Sequence, residues 1–293
     1  MAQTEPPPDA AVADAAPTPG FAVGLARAAG GAVIFALPLL MTMEMWELGF
    51  HMSRPRLALL LVVTVPLLVG LSHVSGFEET FEPLEDVVDA FVAYAVGFGA
   101  AAVVLALFGV LRPGMSLDEL VGKVALQAVP GSMGALLAQS QFGGGSQGAA
   151  REQSGGGNAD GRPSSYASQL FLMAVGALFL AFNVAPTEEM VLIAHMMTPW
   201  HVLAMAALSL AAMHAFVYAL EFRGQHAIDP GHSGRSVFLR YTVAGYALAL
   251  LISAYVLWTF GSLGATDWME ATAVVLVLGF PAAIGAAAAR LLL

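Results

Sequence analysis

Long apolar runs constrain this chain more than anything else in it. Stretches of about twenty mostly apolar residues lie near 28–52, 57–76, 88–111, 120–140, 167–197, 200–221, 237–260 and 268–292. About twenty apolar residues in a helix cover the hydrocarbon core of a bilayer. A helix also satisfies its own backbone polar groups, which lipid cannot do. The charge content points the same way. Charged residues are 11% of the chain and hydrophobic types 58%, against about 25% charged in a soluble domain. So few charges cannot cover a water-facing surface. The expected fold is all-α, a polytopic transmembrane bundle of about eight spans. The fourth stretch is the weakest, diluted by Asp118, Glu119, Lys123 and Gln127, and the fifth is interrupted by Asn183 and Pro186.

Composition divides the chain further. Residues 1–24 open with MAQTEPPPDAAVADAAPTPG, rich in Pro, Ala and acid. They read as a disordered tail and lack the basic start of a cleaved signal peptide. A Gly/Ser-rich segment, 142–166, reads as a flexible linker. It separates a first four-helix unit, 25–141, from a second, 167–293.

The two units share a register. Shifting the first by 144 brings Glu44 onto Glu188, His51 onto His195 and Pro55 onto Pro199, with Phe35 on Phe179. An offset of 151 brings Glu119 onto Glu270, Pro130 onto Pro281 and Gly134 onto Gly285. Glu, His and Pro are uncommon inside membranes, so their coincidence points to an internal repeat. A repeat of four spans enters the membrane the same way twice. The expected arrangement is thus two parallel four-helix repeats about an axis along the membrane normal. Arginines favour the side that carries both termini: Arg27, Arg151, Arg162, Arg223, Arg235, Arg240 and Arg290, against Arg54, Arg56, Arg112 and Lys123 on the other. This predicts a multi-pass protein of the cell membrane with both termini cytoplasmic.

The candidate site lies in MTMEMWELGFHMSRP (41–55) and APTEEMVLIAHMMTP (185–199). Glu44 and His51 are seven residues apart, two helical turns, and share a face. Glu188 and His195 repeat that spacing. Glu47 and Glu189 lie beside the two glutamates. A carboxylate inside a span is costly unless it meets water, a cation or a partner. Glu44 and Glu188, with His51 and His195, are therefore the expected ion or proton site, built by both units across the axis. Pro38 and Pro186 precede the glutamates and predict local distortion of both helices. The competing reading is that the glutamates are solvated near the interface. His73 and His214, in the second helix of each unit, are secondary candidates beside a plain packing role. The methionines around the clusters are expected to fill the core.

Other chemistries find little support. The chain has no cysteine, so disulfides and thiolate sites are excluded. No basic cluster suggests a nucleic-acid partner. HExxH and P-loop signatures are absent. Lys123, the single lysine, reads as interfacial. Six acids in 78–89 face the basic connection 223–240; solvated loops are the simpler reading, and ion pairing between them the other.

The segments MEMWELGFHMSRPR (43–56) and NVAPTEEMVLIAHMMTPWH (183–201) resemble an uncharacterised prokaryotic family of predicted integral membrane proteins, over roughly 25–292. That resemblance implies membrane localisation and brings no activity, cofactor or catalytic residue. From the residues themselves, the leading expectation is a cation channel or transporter. The alternatives are an intramembrane metal-dependent enzyme on the same Glu/His set, and a structural or sensory protein without transport. The candidate partners are the lipid bilayer, a cation and a second copy of the chain.

Overall fold

The computed structural model describes residues 19–75, 83–142, 165–216, 238–263 and 267–292. Among these residues there is helix and no strand. The first part holds α1 (Pro19–Leu40), α2 (Met43–His51), α3 (Arg54–Ser75), α4 (Pro83–Leu107) and α5 (Leu117–Phe142). The second holds α6 (Tyr166–Val184), α7 (Glu189–Met196), α8 (Pro199–His214), a π-turn (Phe238–Val243) leading into α9 (Ala244–Phe260), and α10 (Trp268–Leu292). Among the described residues seven helices are long and apolar enough to cross a membrane. Helices α7 and α8, bent by 120° at their junction, make an eighth candidate when taken as one broken span.

The first expected helix of each part differs from the sequence reading. Residues 28–52 are not one helix: α1 stops at Leu40 and α2 starts at Met43. Residues 167–197 likewise divide, between Val184 and Glu189. Helix α2 is nine residues long, about 14 Å, and α7 is eight. Neither is long enough to cross alone.

Each part is organised around its last helix. In the first, α5 packs on α1, α2, α3 and α4, while α1 and α3 also pack on α4. In the second, α10 packs on α6, α7, α8 and α9, while α6 and α8 also pack on α9. Glycines permit the closest approaches. The backbone of Gly31 in α1 meets that of Gly134 in α5, and Gly176 in α6 meets Gly285 in α10. In lipid there is little hydrophobic drive between helices, so such close backbone contact is a main source of cohesion.

The stretch weakest by hydropathy, 120–140, is the most enclosed helix. In its most apolar window, mean hydropathy is 1.3 and 83% is buried, against 2.2 and 28% for α4. Helix α5 is shielded by neighbours and needs no lipid-like surface. Its charges sit at its N-terminal rim, where Arg54 pairs with Asp118 and Lys123 with Glu119.

Contacts fix which ends coincide. Tyr166, opening α6, donates from its hydroxyl to the Arg240 carbonyl in the π-turn at 2.8 Å. Arg290, closing α10, donates from Nε to Gln169 Oε1 at 3.1 Å. At the opposite end α7 meets the start of α10, where His195 pairs with Glu270. His214, ending α8, lies 3.0 Å from Thr242 in the π-turn. Helix α8 thus leads from one end of the bundle to the other. The two parts align with each other. The Phe171 ring near the start of α6 covers Gly70 near the end of α3. Arg56 at the start of α3 lies over the Trp258 ring at the end of α9, 5.0 Å from its centroid. Short helices α2 and α7 consequently sit at the same end.

Candidate functional site

Each helix break is a built feature. A helix end leaves carbonyls without intrahelical donors, and these need other partners at membrane depth. At the end of α1, the Leu39 carbonyl accepts from Thr42 Oγ1 at 2.9 Å and from Gln127 Nε2 of α5 at 3.0 Å. The Leu40 carbonyl accepts from Trp46 Nε1 at 2.8 Å. Pro38, the distortion expected from sequence, lies inside α1 and leaves it continuous to Leu40. In the second part Pro186 does fall in the break. There the Val184 carbonyl accepts from Thr187 Oγ1 at 2.9 Å, and Asn183 Nδ2 donates to the Phe179 carbonyl at 2.7 Å.

The breaks place the glutamates at helix starts. Glu44 lies in the first turn of α2. Glu188 is the N-cap residue of α7 and Glu189 is in its first turn. A carboxylate there complements the positive end of the helix dipole, worth about 0.3–1 kcal/mol. Glu44 is half-buried; Glu47, Glu188 and Glu189 are exposed. Among the described residues none of these four carboxylates makes a hydrogen bond or ion pair.

The histidines divide. His51 is exposed, with its ring against Phe50 at a centroid distance of 4.8 Å. His195 lies 2.6 Å from Glu270 through Nε2, while its Nδ1 is 2.8 Å from the Val191 carbonyl. That geometry joins α7 to the start of α10. In the first part the corresponding join is made without His51. Arg54 pairs with Asp118 and donates to the Gly49 carbonyl at 3.3 Å. At Gly49 the backbones of α2 and α5 are so close that a Cβ would stand 2.7 Å from the Lys123 Cα. Among the described residues no group of three or more His, Asp or Glu is placed to hold a metal ion. Met45, Met52 and Met190 are buried in the core.

The secondary histidines lie toward the other end. His73 Nδ1 is 3.1 Å from Asp86 Oδ2, and Asp86 Oδ1 accepts from Ser72 Oγ at 3.2 Å. Asp86 is 5% exposed in the first turn of α4, so this member of the six-acid segment is enclosed rather than solvated. Connection 217–237 lies outside the described residues, as do the tail 1–18 and the segment 143–164. Three residues that sequence reasoning did not single out as site partners are Glu270, Asp86 and Gln127. Glu270 carried a signal, its register with Glu119.

Apolar helices of spanning length and interior glycine crossings define a polytopic integral membrane protein. The chain belongs to the family described as "Putative integral membrane protein (DUF2391)", whose sequence model matches residues 24–293. No curated protein and no solved structure matches it.

Proposed function

We propose that this protein moves cations across the bilayer, as a channel or carrier. Glu44 and Glu188 form the ion or proton site, and His51 and His195 the ring around it. One observation carries this reading. Each part breaks its first helix and restarts it, at the same end of the bundle, with a carboxylate that has no partner among the described residues. Carboxylates at a pore mouth raise the local cation concentration and select by charge. The matched packing of α1–α5 and α6–α10 supports a parallel repeat, as does the tilted contact of the Phe35 and Phe179 rings at 5.1 Å. Glu47, Glu189, His73 and His214 line the approaches in this reading. A second reading, a structural or sensory protein, draws on the His195–Glu270 pair, which ties the short helix down.

Ion flux into proteoliposomes separates the two. With H⁺, Na⁺, K⁺, Ca²⁺ and Mn²⁺ tested in turn, wild type should pass at least one. Glu44→Gln and Glu188→Gln should each cut that flux by about tenfold or more with elution on size exclusion unchanged, and the double variant should be little worse. Wild-type flux in both variants, or no flux for any ion, sinks the proposal.

The arginine distribution supports cytoplasmic termini in the cell membrane. A cysteine introduced at Ser154 should be protected from an impermeant thiol reagent in intact cells, and one at Ser53 should label. The reverse pattern would invert the orientation.

A further inference from the structure

At the end of the bundle opposite α2 and α7, a cationic group has no counter-ion among the described residues. The Arg290 guanidinium donates to the neutral amide of Gln169 and stacks on Tyr241, 4.0 Å from the ring centroid. Its Nη1 is sealed from solvent with no hydrogen-bond partner. Tyr241 packs edge-on against Tyr166 at 5.6 Å, and Tyr166 holds the carbonyl of Arg240. Arg240 is exposed. Among the described residues neither arginine makes an ion pair.

We propose that Arg290 and Arg240 bind the phosphate of an anionic phospholipid, with Tyr166 and Tyr241 framing the headgroup. A half-buried guanidinium is costly to leave without an anion, and its planar fork matches phosphate oxygens. The C-terminal turn of α10 offsets only about 0.3–1 kcal/mol of that cost through its dipole. Depth points to the lipid. The two tyrosines lie at span ends, where phenols mark the headgroup level, and lipid phosphate is the abundant anion there. Basic groups between helices at this level are known headgroup sites. The backbone agrees: Arg240 and Tyr241 stand on a π-turn, an irregularity that recurs at functional sites.

Native mass spectrometry and thermal unfolding of the full chain in detergent test this, with phosphatidylglycerol, phosphatidylcholine or inorganic phosphate added at equal concentration. Phosphatidylglycerol alone should be retained and should raise the melting temperature. Arg240→Gln should weaken its retention about fivefold, and Arg290→Gln more, while Arg27→Gln, an exposed arginine on α1, should match wild type. Equal retention of phosphatidylcholine overturns the proposal. Stabilisation by inorganic phosphate alone would mark a soluble-anion site and overturn the lipid assignment. If Arg290→Gln does not fold, Arg240→Gln decides: wild-type retention there also overturns it.

Discussion

Gly285→Leu is expected to leave no monodisperse protein after detergent extraction. Helices α6 and α10 cross with the Gly176 and Gly285 backbones in contact, and a Cβ on Gly285 would collide with the Gly176 carbonyl oxygen. A flexible side chain could turn away from such a collision; a carbonyl in a helix cannot. The helices must separate, which also strips contacts from their neighbours. Overpacking in a core costs about 1–3 kcal/mol where the surroundings can adjust, and here they cannot. Gly134→Leu should fail for the same reason against the Gly31 carbonyl. Gly99→Leu is the control, since nothing lies within 4 Å of a Cβ there. Fluorescence-detected size exclusion reads all three. A sharp wild-type peak from Gly285→Leu would show that the crossing is looser than described.

The second large effect is expected at Asp86. Its carboxylate is enclosed, accepts from Ser72 and faces His73. It also stands in the first turn of α4, where the dipole favours an anion. Asp86→Leu removes these interactions together and leaves the buried Ser72 hydroxyl with Asp89 alone. The expected loss is about 2–3 kcal/mol, from the hydrogen bonds to a charged group. Asp86→Asn keeps the shape and should lose less. His73→Ala, at an exposed ring, should lose least. In a double-mutant cycle, Asp86→Leu and His73→Ala should be non-additive, because they share one contact. Strict additivity would mean that the His73–Asp86 contact contributes nothing.

The apolar runs made the helical, membrane-spanning character legible, because lipid imposes composition directly along the sequence. The breaks were only half legible. Pro186 announces the second, but the first depends on Trp46 turning back to Leu40 and on Gln127 reaching Leu39 across 88 residues. No local pattern encodes such a partner. Helix α5 reads as the weakest stretch and has the lowest hydropathy of the seven, but its enclosure was hidden: hydropathy reports what a helix shows to lipid, and α5 shows little. The candidate carboxylates were found because Glu is conspicuous among apolar residues. Their position at helix starts depends on the breaks, and so was hidden with them. His195 was found, but its partner Glu270 belongs to a helix beginning far along the chain.

The enclosure of α5 bears on how the polypeptide enters the membrane. A segment is admitted to the bilayer according to the summed transfer cost of its residues. Helices α3 and α4 can meet that test alone, whereas α5 brings Asp118, Glu119, Lys123 and Gln127 to it. The lipid it would meet is replaced by α1, α2, α3 and α4, all synthesised before it. Its admission is therefore expected to be cooperative, the last helix of its part settling among residents that pair its Asp118 and receive its glutamine. Biogenesis and packing are in this sense one process for α5.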